Sequence, residues 1–279
     1  MKRLALTISA CAALWTVFCT AWITGAVAGA VSDDLRAAMA RADVVILGEV
    51  HDNPGHHRLQ AAAVEALAPA AVVWEMLTPE MAARFDAALL SDPDRLEAAL
   101  GWADTSWPSF GLYYPVFAAS GAARVYGGNV PRATARAVAG DGPAAVFGAD
   151  AGLYGLDMAL PAAEQAEREA LQRAAHCNQL PEDRLAMMVD IQRLRDAVMA
   201  RAVIAAHEET GGPVAVITGN GHARRDRGVP RFLDHVRPAL RVLSVGQSEQ
   251  GGIDGAFDLV LDSPAPDRDD PCDAFKTTD

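Results

Sequence analysis

"VVILGEVHDNPGHHRLQ" (44–60) begins as an aliphatic run and continues as a polar segment carrying Glu49, His51, Asp52, Pro54, His56 and His57. A short apolar run without period-two alternation reads as a strand buried on both faces. The pattern recurs. "AVITGNGH" (215–222), aligned with "VVILGEVH" (44–51), agrees at four of eight positions, and both copies place a histidine three residues past a glycine: His51 and His222. Two buried strands followed by G-x-x-H imply one sheet with both histidines at the carboxyl ends of its strands, the edge at which open α/β sheets bind ligands. His51 and His222 are therefore expected to converge on one site, whereas His56 and His57 fall past Pro54 on the following helix.

Further short aliphatic runs extend the sheet: "AVVWE" (71–75), "ARVYGG" (123–128), "LRVLSVG" (240–246) and "FDLVLD" (257–262). Helical patterns separate them, which predicts a three-layer α/β/α fold with a largely parallel or mixed sheet. "LTPEMAARFDAALL" (77–90) predicts a helix capped by Thr78 with Pro79 in its first turn. "NVPRATARAVAG" (129–140) predicts another, starting near Asn129 and Pro131 and stopping at Gly140. Residues 161–210 read as two helices broken near Pro181, an all-helical insertion between the strand-rich parts. Its stripe of Leu185, Met188, Ile191 or Gln192, Arg195 and Met199 has the spacing of a core-packing face.

The chain has 279 residues, 51% hydrophobic and 22% charged, which suits a folded domain with a sizeable core. Residues 1–30 predict a secretory signal: Lys2 and Arg3 precede an uncharged run from Leu4 to Val27 that closes in small residues, with cleavage after Ala28 or Ala30. If retained, the run would be a membrane anchor. "ISAC", ending at Cys11, also admits a lipoprotein. Export places the domain in the periplasm as one of about 249 residues (31–279), its net charge moving from −12 to about −14. Clustered Lys and Arg on that scale are missing, so no nucleic-acid partner is indicated. Cleavage also leaves Cys177 and Cys272, an even pair expected to form a disulfide.

Glu49 and His51 leave the first strand, Glu75 ends the second, Asn129 and Arg132 follow the third, and His222 follows the fourth. Buried at one sheet edge, such groups need one another or a ligand, since each unpaired one costs about 1–3 kcal/mol. His51, Glu75 and His222 are a natural donor set for a divalent metal. In a hydrolase, Glu49 or Glu75 would activate a water and Arg132 would stabilise an oxyanion. The bland alternative is a polar cluster closing the sheet. "WADTSWPSFGLYYPVF" (102–117) concentrates aromatics in a chain with only 6% of them, either as a lid over the sheet or as a ligand wall.

"LGEVHDNPGHHRLQ", "VVWEML", "GGNVPR", "AHCNQLP", "QRLRDAVMA" and "ITGNGHARRDRGVPRFL" together resemble the ChaN family of exported haem-binding proteins, within a superfamily shared with Tiki proteins, TraB and erythromycin esterases. The resemblance spans roughly residues 34–275. It implies haem as cofactor, haem-uptake machinery as partner, and a homodimer of stacked haems with a tyrosine ligand assisted by histidine. Tyr113 fits the ligand position better than Tyr114, and His176, His56 and His57 are secondary candidates. Asn129, Arg132, His51, His222 and Arg224 are candidates for contacting the cofactor. The hydrolytic branches of the superfamily imply catalytic roles for Glu49, His51, Glu75 and His222, and with them a metal-dependent peptidase or esterase as the alternative function. An adaptor with a decayed site is a third reading.

Other motifs fail. "GNGHAR" has Arg224 where a dinucleotide loop needs glycine, "GQSEQ" has Gln250 where a nucleophile elbow needs one, and "HEETG" lacks the second histidine of a zinc-protease helix. No C-x-x-C-H occurs, which removes covalent c-type haem. "ARRDRGVPRF" (223–232) supplies Arg224, Arg225, Arg227 and Arg231, either as an anion cradle beside His222 or as a solvated loop.

Overall fold

The structure is a computed structural model and describes residues 31–270, 272 and 273. The signal and lipidation expectations for residues 1–30 lie outside the described residues. The elements follow in the order α1 (Asp33–Met39), β1 (Val44–Leu47), α2 (Pro54–Leu67), β2 (Ala71–Trp74), α3 (Pro79–Ala82), α4 (Pro93–Leu100), α5 (Phe110–Ser120) and β3 (Arg124–Gly127). Then come α6 (Arg132–Phe147), α7 (Ala162–Ala175), α8 (Glu182–Thr210), β4 (Val214–Ile217), α9 (Asn220–Ala223), α10 (Val229–Val236), β5 (Val242–Glu249) and β6 (Leu259–Ser263). All six expected strands form.

They make one sheet in the order β3-β2-β4-β1-β5-β6, and every neighbouring pair is parallel. Val44–Leu47, Ala71–Trp74 and Val214–Ile217 are buried throughout, as continuous apolar runs in a sheet covered on both faces must be. Alternate residues supply two cores. Val45, Leu47, Val72, Trp74 and Ile217 meet α1, α2, α4 and α5 on one face. Val44, Ile46, Val73, Val214 and Val216 meet α6, α8 and α10 on the other. The result is the three-layer α/β/α architecture.

β1 and β4 lie side by side, yet the helix after β1 packs on one face and the helices after β4 on the other. Adjacent strands whose connections part in this way leave a crevice at their carboxyl ends, the switch point where such sheets bind ligands. Both G-x-x-H segments emerge into that crevice.

Local chemistry departs from the sequence reading in two helices. Thr78 caps α3 as expected, accepting from Met81 N–H at 3.2 Å, but the helix stops at Ala82. Asp86 accepts from Ala88 N–H and starts a separate 3-10 turn at Ala87–Leu89, an aspartate preferring a cap to a helix interior. α6 starts at Arg132 rather than Asn129 and runs past Gly140; its break is at Gly142, with φ 75°. Gly142 precedes Pro143, and a residue before proline is pushed out of the α region. The pair of helices around Pro181 forms as read, with α8 ending on left-handed Gly211.

Cys177 and Cys272 form the expected disulfide, 95 residues apart in the chain. Among the described residues no helix is long and apolar enough to cross a membrane.

Candidate functional site

Glu49, the first acid after β1, is buried and accepts from two sides. Its Oε1 lies 2.7 Å from His51 Nδ1 and 2.8 Å from the Tyr113 hydroxyl. Glu75, after β2, accepts at Oε2 from the Thr218 hydroxyl at 2.8 Å and Gly219 N–H at 2.7 Å. Its Oε1 faces both histidines, 3.4 Å from His222 Nε2 and 3.9 Å from His51 Nε2. Asp196 on α8 holds His222 Nδ1 at 2.6 Å. The two histidines thus meet at Glu75, each backed by its own carboxylate.

The glycines of the repeat are what permit this approach. A Cβ on Gly219 would stand 2.8 Å from His51 Nε2, and one on Gly48 would stand 2.4 Å from Asn220 Oδ1. Each motif's glycine makes room for a side chain of the other motif. Asn220 then locks the edge, donating to Gln247 O at 2.7 Å and accepting from Gln247 N–H at 3.0 Å.

Burial alone would strip charge from His222, but Glu75 and Asp196 outweigh it and raise its pKa to about 10. Burial likewise opposes the charge on Glu75, and His222, His51 and Gly219 N–H hold its carboxyl well below the usual range. The buried carboxyl of Asp196 is pushed up by desolvation, against the pull of His222. Desolvation lowers His51, and its bond to Glu49 and the charge of Glu75 more than compensate, so its pKa is raised. Tyr113 is fully buried, and desolvation together with Glu49 drives its phenol far above its ordinary value.

At physiological pH the set is therefore a charged pair, His222 with Glu75, beside a His51 that is the accessible member. The His51 side chain is 33% exposed, against 7% for His222. Its ring tilts against Trp107, centroid to centroid 4.9 Å. A cleft of about 650 Å³ opens here, lined by Glu75, Trp107, Asn129, Arg132, Arg195 and Met199 among others.

Glu49, His51, Glu75, Tyr113 and His222 come together, and Asn129 and Arg132 line the adjoining cleft. Of the other candidates, His57 touches this set, its Nδ1 3.5 Å from Glu49 Oε2 and its ring 4.3 Å from that of Tyr113, and the rest lie apart. Tyr114 donates to Leu90 O at 2.7 Å, and His176 bonds Gln172 O at the end of α7. His56 accepts from Val50 N–H at 2.9 Å, and burial lowers its pKa; His57 donates to the His51 carbonyl at 2.9 Å. Arg224, Arg225, Arg227 and Arg231 meet Asp226, Asp258, Glu167 and Glu164, so the cluster is spent on acids of the chain itself.

Sequence reasoning missed Gln192 and Asp196. Gln192 Nε2 stands 3.1 Å from His222 Nδ1, and with Arg195, Asp196 and Met199 it forms an i, i+3, i+4, i+7 face of α8 turned to the site. The signal was the polar residues interrupting an otherwise apolar stripe. As for a metal, among the described residues no group of three His, Cys, Asp or Glu is arranged to hold one.

A family model described as haem-binding uptake, Tiki superfamily, ChaN matches residues 35–233. The chain belongs to the ChaN family. The match covers both G-x-x-H segments and α8, and ends before β5. Among solved structures, ChaN of Campylobacter jejuni, described with cofacial heme binding, is 22% identical over 79% of this chain and 87% of its own, with a TM-score of 0.61. That likeness shows the ChaN fold. The type III effector HopBA1 is 14% identical over 83% of this chain and 92% of its own, with a TM-score of 0.47. A Bacillus cereus protein is 15% identical over 77% and 68%, with a TM-score of 0.40. No curated protein matches the chain.

Proposed function

We propose that this chain binds haem at the carboxyl edge of its sheet, in the cleft beside His51, and hands it to uptake machinery outside the inner membrane. Membership of the family supports the ligand. The observation that carries the site is His51 itself: a partly exposed imidazole whose Nδ1 is held by a buried carboxylate and whose ring packs on Trp107, which lines the adjoining cleft together with Arg132, Arg195 and Met199. Haem supplies an iron that takes axial side-chain ligands and a macrocycle that packs on apolar walls. A carboxylate on Nδ1 fixes the tautomer and ring orientation and leaves Nε2, which stands 3.9 Å from Glu75 Oε1, as the nitrogen free to bind, the arrangement that strengthens a histidine ligand.

Tyr113 takes a different part. Its hydroxyl donates to Glu49 and is buried, so ligation through this oxygen would require that bond to open. It acts here as a positioning residue for the Glu49–His51 pair. Export after cleavage at Ala28 or Ala30, and a homodimer with stacked haems, complete the proposal; the haemin-to-protein ratio and the mass of the loaded species test the dimer.

Titrating the purified mature protein with haemin should shift the Soret band. His51→Ala should abolish the shift, and Glu49→Gln should weaken binding roughly 10- to 100-fold. A wild-type protein that leaves the haemin spectrum unchanged would falsify the haem reading. An undiminished shift in His51→Ala would move the ligand elsewhere, with Tyr113→Phe as the next variant.

A second reading, hydrolysis of a peptide or ester, draws on the two histidine–carboxylate pairs meeting at Glu75. In the metal-dependent form, His51, Glu75 and His222 would be the donors. Turnover of an ester or peptide library that His222→Gln eliminates would favour hydrolysis.

A further inference from the structure

The arginines that lie against the body of this protein are matched to partners: Arg168 to Glu164, Arg193 to Asp190, Arg224 to Asp226 and Arg227 to Glu167. Arg195 is the exception. Among the described residues it is the one arginine that is not exposed and has neither an ion pair nor a hydrogen bond, and its Nε is buried. The acid next to it, Asp196, is turned to His222. Arg195 lines the cleft, and so does Arg132, the exposed first residue of α6, which likewise has no partner among the described residues.

A guanidinium half out of water and unpaired is costly, and in a chain of net charge −12 acids are not scarce. Its natural partner is therefore an anion that enters the cleft. We propose that Arg195, with Arg132 as a second contact, is the seat for a carboxylate of the bound tetrapyrrole, so that the cleft prefers a carboxylate-bearing macrocycle to an uncharged one. This rests on the haem reading and names what that site selects.

The chemistry suits the residue. The planar guanidinium fork meets a carboxylate with two parallel hydrogen bonds, and Arg holds its charge at any physiological pH. Met199, one turn along α8, and Trp107 provide apolar surface beside the charge. The acids in the same lining do not compete for it: Glu75 is committed to Thr218, Gly219 and His222, and Asp104 is exposed, where solvent screens it. α6 also begins in this wall without a side-chain cap, which adds favourable backbone dipoles.

The test compares haemin and metal-free protoporphyrin with their dimethyl esters, using the mature protein, the Soret band for haemin and tryptophan quenching for the metal-free pair. The wild type should bind the diacids roughly 10- to 100-fold more tightly than the diesters. Arg195→Met should remove most of that preference by weakening diacid binding far more than diester binding, and Arg195→Lys should keep part of it. Thermal melts check that the variants fold, and Arg132→Met, at an exposed position, reports the same discrimination should Arg195→Met be unstable. Equal affinity of the wild type for diacid and diester, or equal loss of both in Arg195→Met, overturns the proposal. No iron ligation but diacid-selective porphyrin binding would sink the haem reading and keep the seat. Tight haemin binding without diacid selectivity would do the reverse, and no binding of any porphyrin would overturn both.

Discussion

Gly48 and Gly219 occupy equivalent places in the two G-x-x-H segments, yet they guard different contacts. At Gly219 the neighbour of an added Cβ is the end of the His51 side chain, which can swing aside. Gly219→Ala is therefore expected to change thermal stability by less than about 1.5 kcal/mol while displacing His51 and weakening the haemin Soret shift. At Gly48 an added Cβ would also stand 3.0 Å from the Val245 carbonyl and 3.2 Å from Ala223 Cβ, in the sheet edge itself. Gly48→Ala is expected to cost about 1–3 kcal/mol by denaturant unfolding. The charged pair at the site's centre adds a pH signature. His222 has a folded pKa raised to about 10, so its contribution to stability is complete below its unfolded value and is lost as pH rises through about 10. Glu75, held low, contributes above its ordinary value and loses that contribution in acid. Stability measured from pH 6 to pH 10.5 should fall on the alkaline side in the wild type, and His222→Gln should flatten that limb. An unchanged alkaline limb in the variant would mean that His222 is neutral in the folded protein.

Among the elements, the strands were the most legible. All six announce themselves as aliphatic runs bounded by turn residues, and in β1, β2 and β4, buried at every position, a parallel sheet covered on both faces leaves no room for polar alternation, whereas the edge strands β3 and β6 are partly exposed. The pairing of His51 with His222 was legible for the same reason, since strand ends of one sheet share an edge. α8 was only half legible. Its spacing marked a helix with a buried stripe, but at Gln192, Arg195 and Asp196 the stripe leaves the core and becomes the wall of the site. Helical periodicity reports a face, and says nothing of whether that face meets a sheet or a ligand. Tyr113 was singled out as a ligand by the family resemblance, and its hydrogen bond to Glu49 appears only once α5 packs against α2. Element-level stability turns on Asn53. Its Oδ1 accepts from Gly55 N–H at 2.7 Å and caps α2, while its amide donates to Glu249 Oε1 at 2.7 Å and to the Pro264 carbonyl at 3.0 Å. One side chain thus fixes the start of α2 to β5 and to the segment after β6. Asn53→Ala loses the cap and strands partly buried acceptors, at a combined cost of about 2–4 kcal/mol in chemical unfolding. Asn53→Asp, which keeps the cap but faces Glu249, should recover only part of it.

At the scale of the molecule, the candidate site sits where β1 and β4 send their chains to opposite faces, while the covalent link lies elsewhere. Cys177 follows α7, in left-handed backbone beside Asn178, and Cys272 belongs to the segment beyond β6. The disulfide therefore ties the C-terminal segment to the α7–α8 turn, and neither cysteine lines the cleft. Closing a loop of 95 residues restricts the unfolded chain far more than the folded one, with an expected stabilisation of about 2–4 kcal/mol. Because the two functions are separated in space, they should separate in experiment. The double variant Cys177→Ala with Cys272→Ala, or the reduced wild type, is expected to melt at a lower temperature while its haemin affinity at 25 °C stays within about twofold, since distant sites couple weakly. Thermal unfolding with and without reductant, alongside a haemin titration of each form, measures both quantities. An equal loss of affinity and stability would instead tie the C-terminal segment to the geometry of the cleft, through the Arg268–Glu249–Asn53 contacts that join that segment to the start of α2.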